Sequence, residues 1–332
     1  MTLLRSYVLP RLLQWAVVIV IGITVTFAIP RLLPMDPVEQ SLTRLAGVQT
    51  MDPRAVAQFE AALRDLYGLR GTVFEQYVQF WRRLVQGDLG PSLGSFPTPV
   101  TTIIRNALPW TVGLLGTTVL ISWGLGVVLG TLAGYFSGSL WAKALDKLLI
   151  VIYPIPYYIL ALVLVILFAY YIPAFPLVGG ARGQAGFTVA YIRSVVQHGF
   201  LPAVSLVLIA TAFRFIMAKA LTGSIMASDY VTYARIGGLP KGKIIRSYVM
   251  RNSLLPQITD LALSLGAVFE GALITEVVFS YPGIGYTLYT AIVQTDFNLL
   301  LGVTLFSIVG ISTAALLVDL LYPLFDPRIR YG

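Results

Sequence analysis

Four carboxylates set in apolar surroundings, Asp260, Glu270, Glu276 and Asp319, are the side chains of this sequence best placed to do chemistry. An ionised group at bilayer depth costs roughly 2.5 kcal/mol or more on insertion scales, so it is kept for a partner or for a path. Asp260 falls one turn past Pro256 and Asp319 close to the C-terminal tail, which predicts that both lie near a membrane surface. Glu276 falls toward the far end of the same apolar run as Asp260, and Glu270 lies deepest. Glu270 and Glu276 are the candidates for lining a translocation path, with a structural role toward a hydroxyl or another helix as the alternative for Glu270. The remaining reactive inventory is small. The single histidine, His198, stands beside Gly199 at the edge of an apolar run and reads as an interfacial side chain. With no cysteine, the chain has no thiolate metal site, thiol redox pair or disulfide. No donors recur at metal-ligand spacing, so no metal site is assigned. Gly237 to Lys243 reads G-x-x-x-x-G-K, but Ile244 follows where a hydroxyl is needed for Mg²⁺, and an apolar helix precedes it where a strand is needed. The expectation is a chain that binds no nucleotide or other cofactor and catalyses no reaction.

The elements that must hold these residues belong in lipid. Charged residues make up 11% of the 332, against about 25% in soluble chains, and mean hydropathy is +0.81. Apolar runs long enough to cross a bilayer recur. The spans are expected at Leu12–Ile29, Leu108–Ala133, Leu148–Ile172, from Pro202 through Phe213, Leu254–Phe279 and Leu299–Leu321. The chain is thus an all-α polytopic membrane protein with six transmembrane helices. Residues 1–30 form a tail and the first span, 31–105 a helical extracytoplasmic insertion, and 106–332 a five-helix core. Within the insertion, Val56, Phe59, Leu63 and Leu66 follow Asp52-Pro53 at helical spacing and Gly68 ends the helix. A second amphipathic helix is expected from Phe74 through Tyr77, Trp81 and Leu84 to Gly87. Gly126, Gly130 and Gly134 put a smooth stripe on one face of the second span, for close helix packing. The segment from Pro173 to Gly199, rich in proline and glycine, is expected to be irregular.

The net charge of +8 is read through topology. With the N-terminus inside, the inner segments carry thirteen Lys and Arg, Arg214 among them, whereas the short outer loops carry only Arg182 and Arg193. The 31–105 excursion holds eight arginines, but long loops cross largely regardless of charge. Both termini and the basic stretch 228–256 are therefore placed in the cytoplasm. No basic run interleaved with exposed aromatics points to nucleic acid. The 228–256 stretch predicts a short helix from Tyr230 to Gly237, a break at Gly238-Leu239-Pro240, and a second amphipathic helix with Ile244, Ile245, Tyr248 and Val249 on one face. Such a structured basic loop suits a docking surface for a partner, with an amphipathic segment on anionic lipid as the alternative.

One ordered set of residues then identifies a resemblance. Gly87-Asp88-Leu89-Gly90 with Ser92, Pro99-Val100, Tyr233-Ala234-Arg235, Gly238-Leu239, Arg251-Asn252 and Leu254-Leu255-Pro256 come first. Glu276, Phe279, Pro282-Gly283-Ile284-Gly285, Asp296, Asp319, Tyr322 and Asp326-Pro327-Arg328-Ile329 complete it. Along essentially its whole length the chain resembles the first permease subunit of ABC importers for dipeptides, oligopeptides and nickel. The resemblance implies the type I importer permease fold in a bacterial or archaeal plasma membrane. It implies a second, homologous permease, two ATPase subunits that carry ATP and Mg²⁺, and an extracytoplasmic substrate-binding protein. The 31–105 insertion is then either part of the dock for that protein or a structural cap. It implies that the central loop couples to an ATPase through Tyr230, Tyr233, Ala234, Arg235, Gly238, Leu239, Lys241 and Lys243, with Ala234 and Gly238 small enough for close approach. The family pattern E-A-A-x-x-x-G is departed from, since Thr232 and Tyr233 replace the glutamate and the first alanine. Oligosaccharide, glutathione or nickel transport is the alternative within the class, and an ATP-independent secondary transporter the alternative outside it.

Overall fold

The structure is a computed structural model that describes residues 7–32, 38, 53–66, 68–183 and 185–325. It is built of helices, and no strand occurs among the described residues. In chain order these are α1 (Leu9–Leu32), α2 (Pro53–Leu66), α3 (Val73–Val85), α4 (Val100–Tyr135), α5 (Leu140–Ile152), α6 (Tyr157–Val165) and α7 (Val189–Met226). Then come α8 (Asp229–Ile236), α9 (Arg251–Ala267), α10 (Leu273–Val278), α11 (Ile284–Val293) and α12 (Phe297–Phe325). In lipid every backbone N–H and C=O must be bonded internally, which is why helices carry the apolar runs.

Among the described residues, α1, α4, α7 and α12 are each long and apolar enough to cross a bilayer. The expected span at Leu148–Ile172 is instead a bent pair. α5 and the segment Tyr157–Tyr171 meet at 94°. Pro154 and Pro156 stand at the bend, where missing N–H donors and ring clashes end a helix. The expected span at Leu254–Phe279 is also broken: α9 passes through a 3₁₀ turn, Val268–Glu270, and restarts as α10 after Gly271. Helix α7 begins eleven residues earlier than the irregular reading of Pro173–Gly199 allowed. Thr188 caps it by accepting from the Tyr191 N–H at 3.3 Å, and Pro202 lies inside it. A proline inside a membrane helix removes one donor and is tolerated where surrounding groups can re-satisfy the freed backbone.

Packing follows small residues. A Cβ on Gly126, Gly130 or Gly134 would come within 2.5–2.7 Å of Arg214, Phe215 or Thr222, so the stripe lets α4 and α7 touch backbone to backbone. Ala133, Ala142, Leu149, Ala212 and Phe215 fill the space beside that contact. α1 packs on α12 through Trp15 Nε1 donating to Thr313 Oγ1 at 3.2 Å and an Arg11–Asp319 ion pair at 3.2 Å. Asp319 is thereby tied to the start of the chain. The insertion helices form as their periodicity predicts. In α3, Thr72 Oγ1 accepts from the Glu75 N–H while the Glu75 carboxylate accepts from the Thr72 N–H, a reciprocal cap. The Thr72 backbone N–H holds the Glu75 carboxyl below the usual carboxylate range.

Candidate functional site

The basic stretch builds its site from the inside outward. Ser228 stands at the N-cap of α8 with extended backbone, and Asp229 supplies negative charge to the first turn. Val231 and Ala234, three residues apart, bury one face of this short helix. They pack with Ile244 and Val249, and Tyr135, Ile225, Met226, Leu239 and Tyr248 close over the cluster. The helix ends in a Schellman turn. The Leu239 N–H donates to the Ala234 carbonyl at 3.2 Å and the Gly238 N–H to the Arg235 carbonyl at 3.1 Å, with Gly238 at φ +74°. Leu239 folds back into the cluster that holds Ala234. Beyond Pro240, the chain re-enters a helical path at Lys241–Lys243 and widens into a π-helical turn over Ile244–Met250. That turn runs directly into α9, so Pro256 lies within a helix and does not end the loop.

The opposite face of α8 is bare. Tyr233 and Ile236 are 71% and 77% exposed, Tyr230 is 43% exposed, and Thr232, Gly237 and Gly238 are exposed beside them. Arg235 lies over the Tyr135 ring at 5.7 Å, and Lys241 and Lys243 are exposed next to it. Ala234 is 6% exposed and turned into its own chain. It is small so that α8 can lie flat on the Ile244 turn, which differs from the expectation that it admits a partner. Gly238 has no atom of its own chain within 4 Å of a Cβ position, so within this chain its requirement is the left-handed backbone at φ +74°.

Two knots hold the other sequence-marked residues. In the first, Glu276 is completely buried in α10. Its Oε1 accepts from Thr111 Oγ1 at 2.9 Å and from the Ala272 N–H at 3.4 Å, and its Oε2 accepts from the Tyr286 N–H at 3.0 Å. Thr111 in turn accepts from the Ile284 N–H at 2.7 Å. The carboxyl group therefore caps the N-terminus of α11 and ties it to α4. The Pro282-Gly283-Ile284-Gly285 run wraps this group, and a Cβ on Gly283 would collide with both Glu276 and Thr111. Glu276 thus lies inside the chain, away from any open face, whereas Glu270 stands exposed at the 3₁₀ break. In the second knot, buried Asp296 accepts from Ser92 Oγ, from the Gly94 N–H at 3.0 Å and from the Leu299 N–H at 3.1 Å. It caps α12 and latches the loop after α3 onto it. Asp88 shapes that loop by accepting from the Gly90 N–H at 2.9 Å and from Arg83 Nε at 3.0 Å, and the Gly90 carbonyl accepts from the Val100 N–H at 3.0 Å.

Sequence reading missed the partners of Arg214. Expected among the inner-surface charges, Arg214 is buried within α7 and reaches Asp260 Oδ2 at 2.9 Å, Ser122 Oγ at 2.7 Å and Ser264 Oγ at 2.8 Å. A cation on one apolar run and carboxylates on another were the available signal, and their number left the pairing undetermined. His198 is also buried, with Nδ1 2.7 Å from the Ser194 carbonyl, so that nitrogen carries a proton. Asp326 lies outside the described residues.

The short helix α8 seated on its own core is thus followed in the chain by the carboxylate knots at Glu276 and Asp296. The family model for the binding-protein-dependent transport system inner membrane component matches residues 126–331. The chain belongs to that family. This inner membrane component is 30% identical to the di/tripeptide transport system permease protein of Pseudomonas aeruginosa, over 93% of this chain and 94% of that one. It is 30% identical to the oligopeptide transport system permease protein of Haemophilus influenzae, over 98% and 99% of the two chains. To the dipeptide transport system permease protein of Escherichia coli K12 it is 29% identical, over 94% and 95%. Similarity thus extends through α1 and the insertion, which the family model does not reach.

Proposed function

We propose that this inner membrane component forms half of the translocation path of an ATP-driven importer for di- or oligopeptides. The observation that carries the reading is α8. Its buried face fixes it rigidly to the transmembrane core through Val231 and Ala234, while Tyr230, Tyr233 and Ile236 face outward among basic residues. A helix so mounted passes force, because displacing it must displace the Ile244 turn and α9 with it. An ATPase subunit whose groove takes the two tyrosines and Ile236, with acidic or polar surface opposite Arg235, Lys241 and Lys243, would move that lever. ATP and Mg²⁺ belong to two such ATPase subunits. ATP does work here only by binding outward-open and inward-open states with different affinity.

The membrane arrangement in this reading has six crossings. Four are α1, α4, α7 and α12, the fifth is the bent α5–α6 pair, and the sixth is the broken α9–α10 segment. Both termini and α8 face the cytoplasm of a bacterial cell, and residues 31–105 lie on the outer side. A second, homologous permease completes the path, and a substrate-binding protein delivers to its outer mouth. Exposed Glu270, at the helix break between α9 and α10, is the candidate path residue. The peptide assignment is supported by full-length similarity to permeases named for dipeptides, di/tripeptides and oligopeptides.

Reconstitution tests it. The chain with its companion permease, ATPases and binding protein in liposomes should accumulate a labelled dipeptide or oligopeptide only when ATP is supplied to the ATPase side. Uptake by this chain without ATPases would overturn the reading in favour of a secondary transporter. ATP-driven uptake of a sugar or nickel but no peptide would overturn the substrate assignment alone.

A further inference from the structure

Helix α3 presents an apolar stripe that other described residues cover in part, at Tyr77. Phe74, Tyr77, Val78, Trp81 and Val85 recur at helical spacing and, with Arg82 at the rim, line an open groove of about 500 Å³. Phe74 is 74% and Val85 82% exposed. A groove this apolar on a polar insertion calls for a specific occupant.

The position of α3 against α1 decides which. Tyr77 and Thr24 share a hydroxyl–hydroxyl hydrogen bond at 2.7 Å, and Phe27 packs on the Tyr77 and Phe80 rings at 5.1 and 5.4 Å. Thr24 lies five residues before Ile29, where the apolar stretch Leu9–Ile29 ends. At 1.5 Å per residue that is about 7–8 Å below the end of the span. Thr24 also continues the exposed apolar face of α1 that carries Val17, Val20 and Ile21 within the Leu9–Ile29 stretch. Tyr77 therefore sits at the head of an exposed apolar stripe, about one and a half helical turns inside the end of the span. An interfacial helix buries its apolar face ~5–10 Å into the headgroup and acyl boundary, which is this depth. The polar groups agree. Arg31 Nε donates to Gln76 Oε1 at 3.1 Å on the outer side of α1, and exposed Arg82 can extend from the groove to a phosphate. Tyr77 and Trp81, whose rings meet edge to face at 6.3 Å, supply the aromatic pair typical of a membrane boundary.

We propose that α3 lies in the membrane interface with its Phe74–Val85 groove filled by phospholipid acyl chains, and that it anchors the insertion to the bilayer. The anchor bears on the core directly. The C-terminal end of α3 leads through Gly87 and Asp88 into the loop that Asp296 latches onto the N-terminus of α12. Lipid thereby holds one end of that loop and the buried carboxylate the other, which fixes the outer end of α12 relative to the leaflet.

The inference rests on α1 being a span, and the test separates the two. The chain has no native cysteine, so Phe74→Cys, Val85→Cys, Gln79→Cys on the polar face and Val25→Cys on α1 each give one labelling site. Each variant is assembled with its partner subunits in phosphatidylcholine–phosphatidylglycerol vesicles and nitroxide-labelled. Collision with oxygen, which concentrates in lipid, is compared with collision with a water-soluble nickel chelate. Labels at 74 and 85 are expected to favour oxygen several-fold, as the Val25 label does, while the 79 label favours the chelate. Chelate-accessible labels at 74 and 85 would overturn the proposal. So would labels there shielded from both quenchers, which would assign the groove to a protein segment or to the substrate-binding protein. A Val25 label exposed to water would sink the span itself.

Discussion

At Gly238 the backbone adopts φ +74° with open space where a Cβ would stand, while four residues earlier Ala234 is packed into its own chain. The two small residues thus answer different demands, one of conformation and one of volume. An l-residue in the left-handed region loses about 1–2 kcal/mol, and asparagine tolerates it best. Gly238→Ala should therefore fray the end of α8, seen as faster amide exchange at Gly238 and Leu239 and weaker ATP-coupled uptake at unchanged membrane insertion. Gly238→Asn should retain most of both. Fraying lets the strain at position 238 relax locally, so Gly238→Ala should lower the melting temperature of the detergent-solubilised chain less than Ala234→Leu, which overpacks the cluster at about 1–3 kcal/mol. Equal melting temperatures for the two variants would contradict this division.

Between elements, a few polar ties cross apolar surroundings. Arg214 and Asp260 join α7 to α9, with Ser122 bringing in α4. Removing one partner of a buried pair leaves an uncompensated charge and costs about 3–5 kcal/mol, whereas replacing both by apolar residues is often close to neutral. Asp260→Ala should destabilise the chain strongly in thermal unfolding, and Arg214→Met with Asp260→Leu should recover most of the loss. Failure of the double variant to recover would mean that the hydrogen bonds to Ser122 and Ser264 carry more than the ion pair. The latch at Asp296 and the knot at Glu276 follow the same logic with helix N-termini as the donors, which is why their carboxylates accept backbone N–H groups.

In the whole molecule, α8 is the exposed end of a continuous path through the Ile244 turn into α9 and on to the break at Glu270. If the ATPase seats on this helix, the energy concentrates in its aromatic and aliphatic anchors, and the surrounding lysines mostly steer association. Tyr233→Ala combined with Ile236→Ala should weaken ATPase retention on the purified permease roughly tenfold or more, for about 1.5–4 kcal/mol lost at such positions. Lys241→Ala should change mainly the salt dependence. Unaltered retention in the double variant would remove α8 as the docking element.

Sequence alone determined that the chain is a membrane protein, the positions of most of its spans and of both helices between residues 53 and 85, and that a helix–break–helix interrupts residues 228–256. Those features are local: hydropathy needs only a run of residues, proline and glycine act where they stand, and helical periodicity repeats within two turns. It also marked Glu276, Asp296, Gly283 and Gly285 by their types and order. Tertiary structure decided their roles. Glu276 became a buried helix cap, Ala234 turned inward, Arg214 found Asp260, and two of the six expected spans proved bent or broken. Each of those outcomes depends on which face of one helix meets a face far away in the chain, and periodicity within a helix defines its faces without saying what they meet.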